Sequence, residues 1–354
     1  MDNSSTVNAK EALDAIIRKS RVHLYKPIQI AEILYHSRTN PGSINMLELE
    51  EYRNKSKKWR DEISIVLLGR ICTSSARFQD DLFNDNAIPP SILYELDLEN
   101  IRTDGAVESY IYRSFTNRHT QLSTALNYCL NETKESFQVN VFLSSFWNES
   151  GLKRSIDKIY EIIVYSLFST LTKVLELKVE VFIDSERQEL LEDFSDFAKM
   201  VMCLDLSNPI QTQDARVFRV GVTNAADRGL DMYANWGPAI QIKHLSLDEE
   251  MAESIVNNVS SDRIVIVCKN AEEKVIVSLL TQLGWRSKIQ SIITELNLIA
   301  WYEKALRGKY SDIIGDDLLS VLCDEIVNEF PSLDKMPYVL EKRGYDQITD
   351  KFWI

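Results

Sequence analysis

Asp231, Gln241 and Lys243, in the stretch RGLDMYANWGPAIQIKHLSLDEE at 228–250, have the types and spacing that phosphodiester hydrolysis calls for. That reaction needs a water made nucleophilic, charge stabilisation on a pentavalent phosphorus, and help for the leaving oxygen. Mg²⁺ takes oxygen ligands, usually one or two carboxylates completed by waters and substrate phosphate. It acidifies the attacking water and clamps the phosphate oxygens. Asp231 would be the main ligand and Gln241 an amide-oxygen ligand or water-positioner. Lys243 would be the cation that orients the water and neutralises charge in the transition state.

These residues work together only if one hairpin register holds. LDMYA and AIQIKHL read as strands, with Asn235, Trp236 and Gly237 between them. A three-residue loop ends in a left-handed residue, a position glycine takes cheaply. Pro238 then opens the second strand, where a missing N–H is tolerated. This register sets Ala234 opposite Pro238 and Asp231 opposite Gln241, with Lys243 on the same face. A one-residue slip would turn Asp231 to the other face.

A neutral amide binds Mg²⁺ less well than a carboxylate, so a compensating acid is expected. Glu161 is the candidate, as the one charged residue in the apolar stretch between Lys158 and Lys173. Burial there is costly unless the carboxylate is paired or metal-bound. The alternative puts Glu161 on a narrow solvated stripe near Lys158. Asp227, in the loop AADRG, is the alternative acid to Asp231. His244 points away from Lys243 on a regular strand. Asp248, Glu249 and Glu250 suit a helix N-terminus, and Ser246 with Glu249 has capping-box spacing.

The elements that position these residues change character along the chain. Residues 1–150 read as mostly helical, with KPIQIAEILYHSR, DEISIVLLGRI and NAIPPSILYEL as apolar helical runs. From about 151 the order is α, β, β-hairpin, α, β, α, β, α. SIDKIYEIIVYSLFSTLTKVLEL is a helix apolar nearly all round, and DRIVIVCK is a strand buried on both faces. EEKVIVSLLTQL reads as a further helix. The expected class is α/β, a mixed sheet flanked by helices, with a mostly helical N-terminal region. A helical, peripheral tail is expected over 311–354.

The 354 residues are 45% apolar and 26% charged, enough for a large core and an ordinary soluble protein. No run approaches membrane-spanning length. Five scattered cysteines suit free thiols in a reducing cytoplasm. A net charge of −13 argues against indiscriminate nucleic-acid binding. It leaves room for local basic surfaces: Arg53, Lys55, Lys57, Lys58 and Arg60 in one run, and Arg18, Lys19, Arg21 and Lys26 in another. Such runs are either solvated helix faces or phosphate contacts beside a reading element.

The order of hairpin, helix and strand matches the core of the PD-(D/E)XK nucleases. The stretches KSRVHLYKPIQIAEILY, SKKWRD, TSSARFQD, RVGVTNAADRGLDM, IQIKHLSLDEE, DRIVIVCK and WYEKALRG go further. Through them the chain resembles the HaeII family of type II restriction endonucleases over nearly its full length. The resemblance implies Mg²⁺-dependent cleavage of double-stranded DNA at RGCGCY with 3′ overhangs. It also implies a symmetric homodimer and a companion DNA methyltransferase in the same prokaryotic cell. On this reading 151–310 is the catalytic core, and 1–150 serves DNA recognition, dimerisation or both. Ser74, Ser75, Arg77 and Gln79 are candidates for base reading, and Lys57, Lys58, Lys153 and Arg154 for phosphate contact. The competing functions are a DNA-binding protein on the same fold that no longer cuts, and a repair or junction nuclease.

Overall fold

The computed structural model describes residues 3–20, 25–71, 81–85, 87–149, 152–220, 230–272, 288–330 and 332–353. It divides into two units, one built from Met1–Tyr160 with Cys323–Ile354, the other from Glu161–Val220 with Asp227–Leu322.

Helical periodicity dominates the first unit. Its helices are α1 (Asn3–Lys19), α2 (Tyr25–Thr39), α3 (Leu49–Leu68), α4 (Pro90–Arg102), α5 (Ala106–Asn131) and α6 (Val139–Asn148). Pro90 sits in the first turn of α4, where no N–H is missed, and Gly69 ends α3 at φ 68°. Ile30, Ile33 and Leu34 of α2 are fully buried, as their spacing demands.

The C-terminal segment is not peripheral. Met336, Val339, Tyr345 and Trp353 belong to the same core as Leu13, Ile33 and Phe115. Polar contacts reinforce it. Arg343 forms a two-pronged pair with the buried Glu32 (2.6 and 2.9 Å), which also accepts from Tyr112 Oη at 2.5 Å. Glu108, fully buried, accepts from Arg38, Asn100 and Tyr345. A buried carboxylate is tolerated only when satisfied in this way. Polar spacing near a chain terminus looks peripheral, because such pairings are invisible until the partners meet.

The second unit carries the sheet. The helix α7 (Ile156–Val174) leads to a two-stranded antiparallel ribbon, β1 (Lys178–Phe182) with β2 (Ile210–Asp214). The ribbon was not anticipated from the sequence. Both its strands are largely exposed, so no apolar run marks them. A five-stranded sheet follows in the order β3 (Val217–Arg219), β4 (Met232–Ala234), β5 (Ala239–Leu247), β6 (Ile264–Ala271) and β7 (Ile289–Thr294). β3, β4 and β5 are antiparallel, and β5, β6 and β7 are parallel. The helix α8 (Glu249–Asn258) makes the crossover from β5 to β6, and α9 (Glu295–Arg307) follows β7.

The molecule is thus a mixed α/β fold with a mixed sheet and a helical N-terminal unit. The helix expected over EEKVIVSLLTQL lies outside the described residues. α10 (Ser311–Glu329) and α11 (Met336–Lys342) complete the chain. Cys129, Cys203, Cys268 and Cys323 are free thiols. No described helix is long and apolar enough to cross a membrane.

Candidate active site

The hairpin adopts the expected register. Met232 pairs with Ile240 and Tyr233 with Ala239, which continues to Asp231 opposite Gln241. Gly237 N donates to Ala234 O and Ala234 N to Pro238 O, both at 2.9 Å, closing the three-residue loop. Gly237 has φ +119°, and a Cβ there would lie 2.0 Å from the Arg263 guanidinium, which caps the loop through Trp236 O. The conformation is what requires glycine, since the Arg263 guanidinium ends a flexible side chain that can move aside. Asn235 anchors the tip, donating to Asp214 O and accepting from Arg216 N at 2.9 Å each.

Asp231 lies where β4 and β5 part. Its Oδ2 accepts from Ile242 N at 2.7 Å and from Gln241 Nε2. The carboxylate therefore replaces the backbone partner that the departing strand no longer offers. Gln241 is only 2% exposed, and its Oε1 is buried with no hydrogen-bond partner. A buried acceptor left in that state costs about 1–3 kcal/mol and asks for an explanation. Lys243, half-buried, follows on the same face. A bulge comes directly after it: Lys243 pairs with Cys268, but Ser246 with Asn270. Bulges concentrate beside active sites, where they re-aim a strand.

The helix α8 closes the other side. Its buried Ala252, Ile255 and Val256 join Ala239, Leu247, Ile264 and Ile266 in one core, so α8 covers the face that carries Gln241 and Lys243. A cleft of about 420 Å³ remains, lined by Gln241, Lys243, Asp248, Glu250, Ser254 and Asn258 among others. Ser246 does not cap α8. It continues strand β5, and the cap is Asp248, whose Oδ1 accepts from Met251 N at 2.8 Å. Asp248, Glu249 and Glu250 thus form the acidic helix start expected of them. That Asp248 and Glu250 also line the cleft was not legible, because it depends on how α8 packs.

The remaining candidates separate. Glu161 is 7% exposed on α7, which rules out the solvated stripe. Asp227, Ser74, Ser75, Arg77 and Gln79 lie outside the described residues. Lys58 is exposed and Lys57 half-buried on α3, in the first unit. Arg60, from the same basic run, is buried, donating to Asp61 at 2.7 Å and to Gln29 at 3.3 Å. It is thereby taken out of any phosphate surface. Lys153 is exposed on a single turn before α7, and the Arg154 side chain lies outside the described residues. Among the described residues, no group of three or more His, Cys, Asp or Glu is placed to hold a metal ion. An amide oxygen would have to complete any such set.

Comparison with known proteins bears on this geometry. The chain is 57% identical to the type II restriction enzyme HaeII of Haemophilus aegyptius over 344 residues, 97% of each chain. It is 56% identical to the type II restriction enzyme NgoBI of Neisseria gonorrhoeae over 347 residues, 97% of this chain and 98% of that one. No solved structure matches it. The sequence model of the HaeII restriction endonuclease matches residues 9–345, and the chain belongs to that family.

Proposed function

We propose that the chain is a type II restriction endonuclease that hydrolyses double-stranded DNA with Mg²⁺ at Asp231, Gln241 and Lys243. The observation that carries this reading is the contact of Asp231 with Gln241, with Lys243 on the same face of a cleft. The hairpin, crossover helix and parallel strand around them support a PD-(D/E)XK core.

The residues fit an oxygen-ligated divalent cation. Asp231 brings a carboxylate, and Gln241 brings Oε1, the buried acceptor without a partner. When bound, Mg²⁺ lowers the pKa of a coordinated water and offsets phosphate charge. Ile242 N–H and the Gln241 amide fix the orientation of Asp231 before substrate arrives. Lys243 orients the attacking water and neutralises charge building on the phosphoryl oxygens. Glu161 is the further acid in this reading, with Asp248 and Glu250 bringing more negative charge to the cleft.

The target is RGCGCY, cut to leave 3′ overhangs by a homodimer that places one site on each strand. Lys57, Lys58, Lys153 and Arg154 contact phosphates, and Ser75, Arg77 and Gln79 read bases. The enzyme acts in a prokaryotic cytoplasm beside a DNA methyltransferase that protects the host. Gln241, standing where a second carboxylate is usual, favours one other reading: a DNA-binding protein that does not cut. Digestion of an unmethylated plasmid with mapped RGCGCY sites separates them. Discrete Mg²⁺-dependent fragments ending at those sites, absent in EDTA, are expected. Intact plasmid with a folded protein would replace this reading with the binding-only one.

A further inference from the structure

Two of the free thiols lie against each other. Cys129 is in the last turn of α5 and Cys323 in α10, separated by 194 positions along the chain, yet their Sγ atoms are 3.9 Å apart. The Cys323 thiol also reaches Cys129 O at 3.7 Å. The other described cysteines are placed differently, Cys268 fully buried in β6 and Cys203 exposed. Cys129 is 1% exposed, whereas Cys323 is half-buried. A solute therefore reaches the pair through Cys323.

The contact gives the two sulfurs different roles. The Cys129 S–H donating to Cys323 Sγ lowers the pKa of Cys323 and raises that of Cys129. Burial raises Cys129 further, while burial and the adjacent Asp324 oppose the lowering at Cys323. Attack on a disulfide needs a thiolate with access to it, which makes Cys323 the attacking sulfur and Cys129 the resolving one.

We propose that Cys129 and Cys323 are a reversible disulfide-forming pair, closed by exchange with a small-molecule disulfide such as oxidised glutathione. The Cys323 thiolate attacks one sulfur of that molecule, breaking its S–S bond and releasing one glutathione thiolate. Cys129 then gives up its proton, and its sulfur attacks Cys323 in the mixed disulfide, expelling the second glutathione thiolate. The two cysteine protons end on the two glutathione thiolates. Two cysteine thiols are thus oxidised to one disulfide as one glutathione disulfide is reduced to two thiols. Closure takes the sulfurs from 3.9 Å to about 2.05 Å, a movement that side-chain rotation near the end of α5 supplies. In a reducing compartment such a bond is transient and reports an oxidising episode. Cys323 is where the chain returns from the second unit to the first, so the bond fastens that return to α5. It also closes a long loop and restricts the unfolded chain, which raises stability. The pair belongs to the first unit and the cleft to the second, so it stands whether or not the cleavage reading does.

Peptide mapping of the full chain tests this, after incubation with millimolar oxidised glutathione and trapping of the remaining thiols with N-ethylmaleimide. Wild type is expected to give one linked peptide pair joining Cys129 to Cys323, lighter than the two free peptides by two hydrogens and separated again by dithiothreitol. Cys129→Ser should stop at the glutathione adduct on Cys323, and Cys323→Ser should leave Cys129 unmodified. The linked wild type should melt at least about 3 °C above the reduced chain, a gain absent in Cys323→Ser. If either variant fails to fold, the wild-type map and melt decide alone. Thiols remaining at both positions, glutathione retained on Cys323 of wild type, pairing of either residue with another cysteine, or a linked chain that melts no higher than the reduced one would each overturn the proposal.

Discussion

Replacing Gln241 by Glu probes the site without relying on cleavage. Gln241 is buried and donates to Asp231, so Gln241→Glu removes a donor and sets a second carboxylate against the first. At about 3 Å and an effective dielectric near 20, two such charges repel by roughly 5 kcal/mol. The pair escapes by keeping one proton, which at pH 7.5 costs about 4 kcal/mol for a carboxyl whose ordinary pKa is about 4.3. The sign follows from linkage. A carboxyl raised in the folded state carries no penalty below its unfolded pKa, and the penalty grows as pH climbs towards the raised value. In EDTA the variant should therefore melt several degrees below wild type at pH 7.5, and close to it at pH 4.5. Millimolar Mg²⁺ should restore most of the loss at pH 7.5, because a cation between two carboxylates replaces the proton. Thermal melts across pH, with Mg²⁺ or EDTA, read this out. Equal melting of both proteins in EDTA would contradict the Asp231–Gln241 contact. A loss that Mg²⁺ does not repair would contradict a cation site there.

Two predictions concern the first unit. Arg343→Ala leaves Glu32 buried without its guanidinium, and should cost about 3–5 kcal/mol in urea denaturation. The double variant Glu32→Leu with Arg343→Met should recover much of it, whereas a near-neutral Arg343→Ala would show the C-terminal segment to be dispensable. Burial pushes the His119 imidazole down to about 4. A histidine depressed in the folded state loses stability as pH falls below its ordinary 6.5. Relative to His119→Phe, wild type should lose roughly 2–3 kcal/mol between pH 7.5 and pH 4.5. A flat difference would mean the ring is hydrated.

The parts of the fold legible beforehand were those set by local chemistry. Gly237 and Pro238 favour a three-residue loop over Asn235, Trp236 and Gly237, and the length of that loop decides which face Asp231 takes. The run IVIVC of β6, buried on both sides, could only be an interior strand. What stayed hidden depends on packing between distant segments. Ser246 has the spacing of a cap, yet pairing with Asn270 draws it into β5 and leaves Asp248 to cap α8. Arg60 sits in a basic run that reads as solvated, yet Gln29 and Asp61 take it inside. The β1–β2 ribbon alternates only briefly, Lys178-Val179-Glu180-Val181, and is largely exposed, so no buried apolar strand pointed to it. In the site, Asp231, Gln241 and Lys243 were readable because one hairpin holds them. The α8 wall of the cleft was not, since its position depends on the crossover to β6.

The central claim is that Lys243 acts on the reaction rather than on binding. A duplex containing RGCGCY, titrated in Ca²⁺ and then cleaved in Mg²⁺ under single-turnover conditions, tests it with wild type and Lys243→Ala. The account predicts duplex affinities within about threefold and a cleavage rate lowered by at least about 100-fold in the variant. Lys243→Ala cutting at the wild-type rate would contradict it.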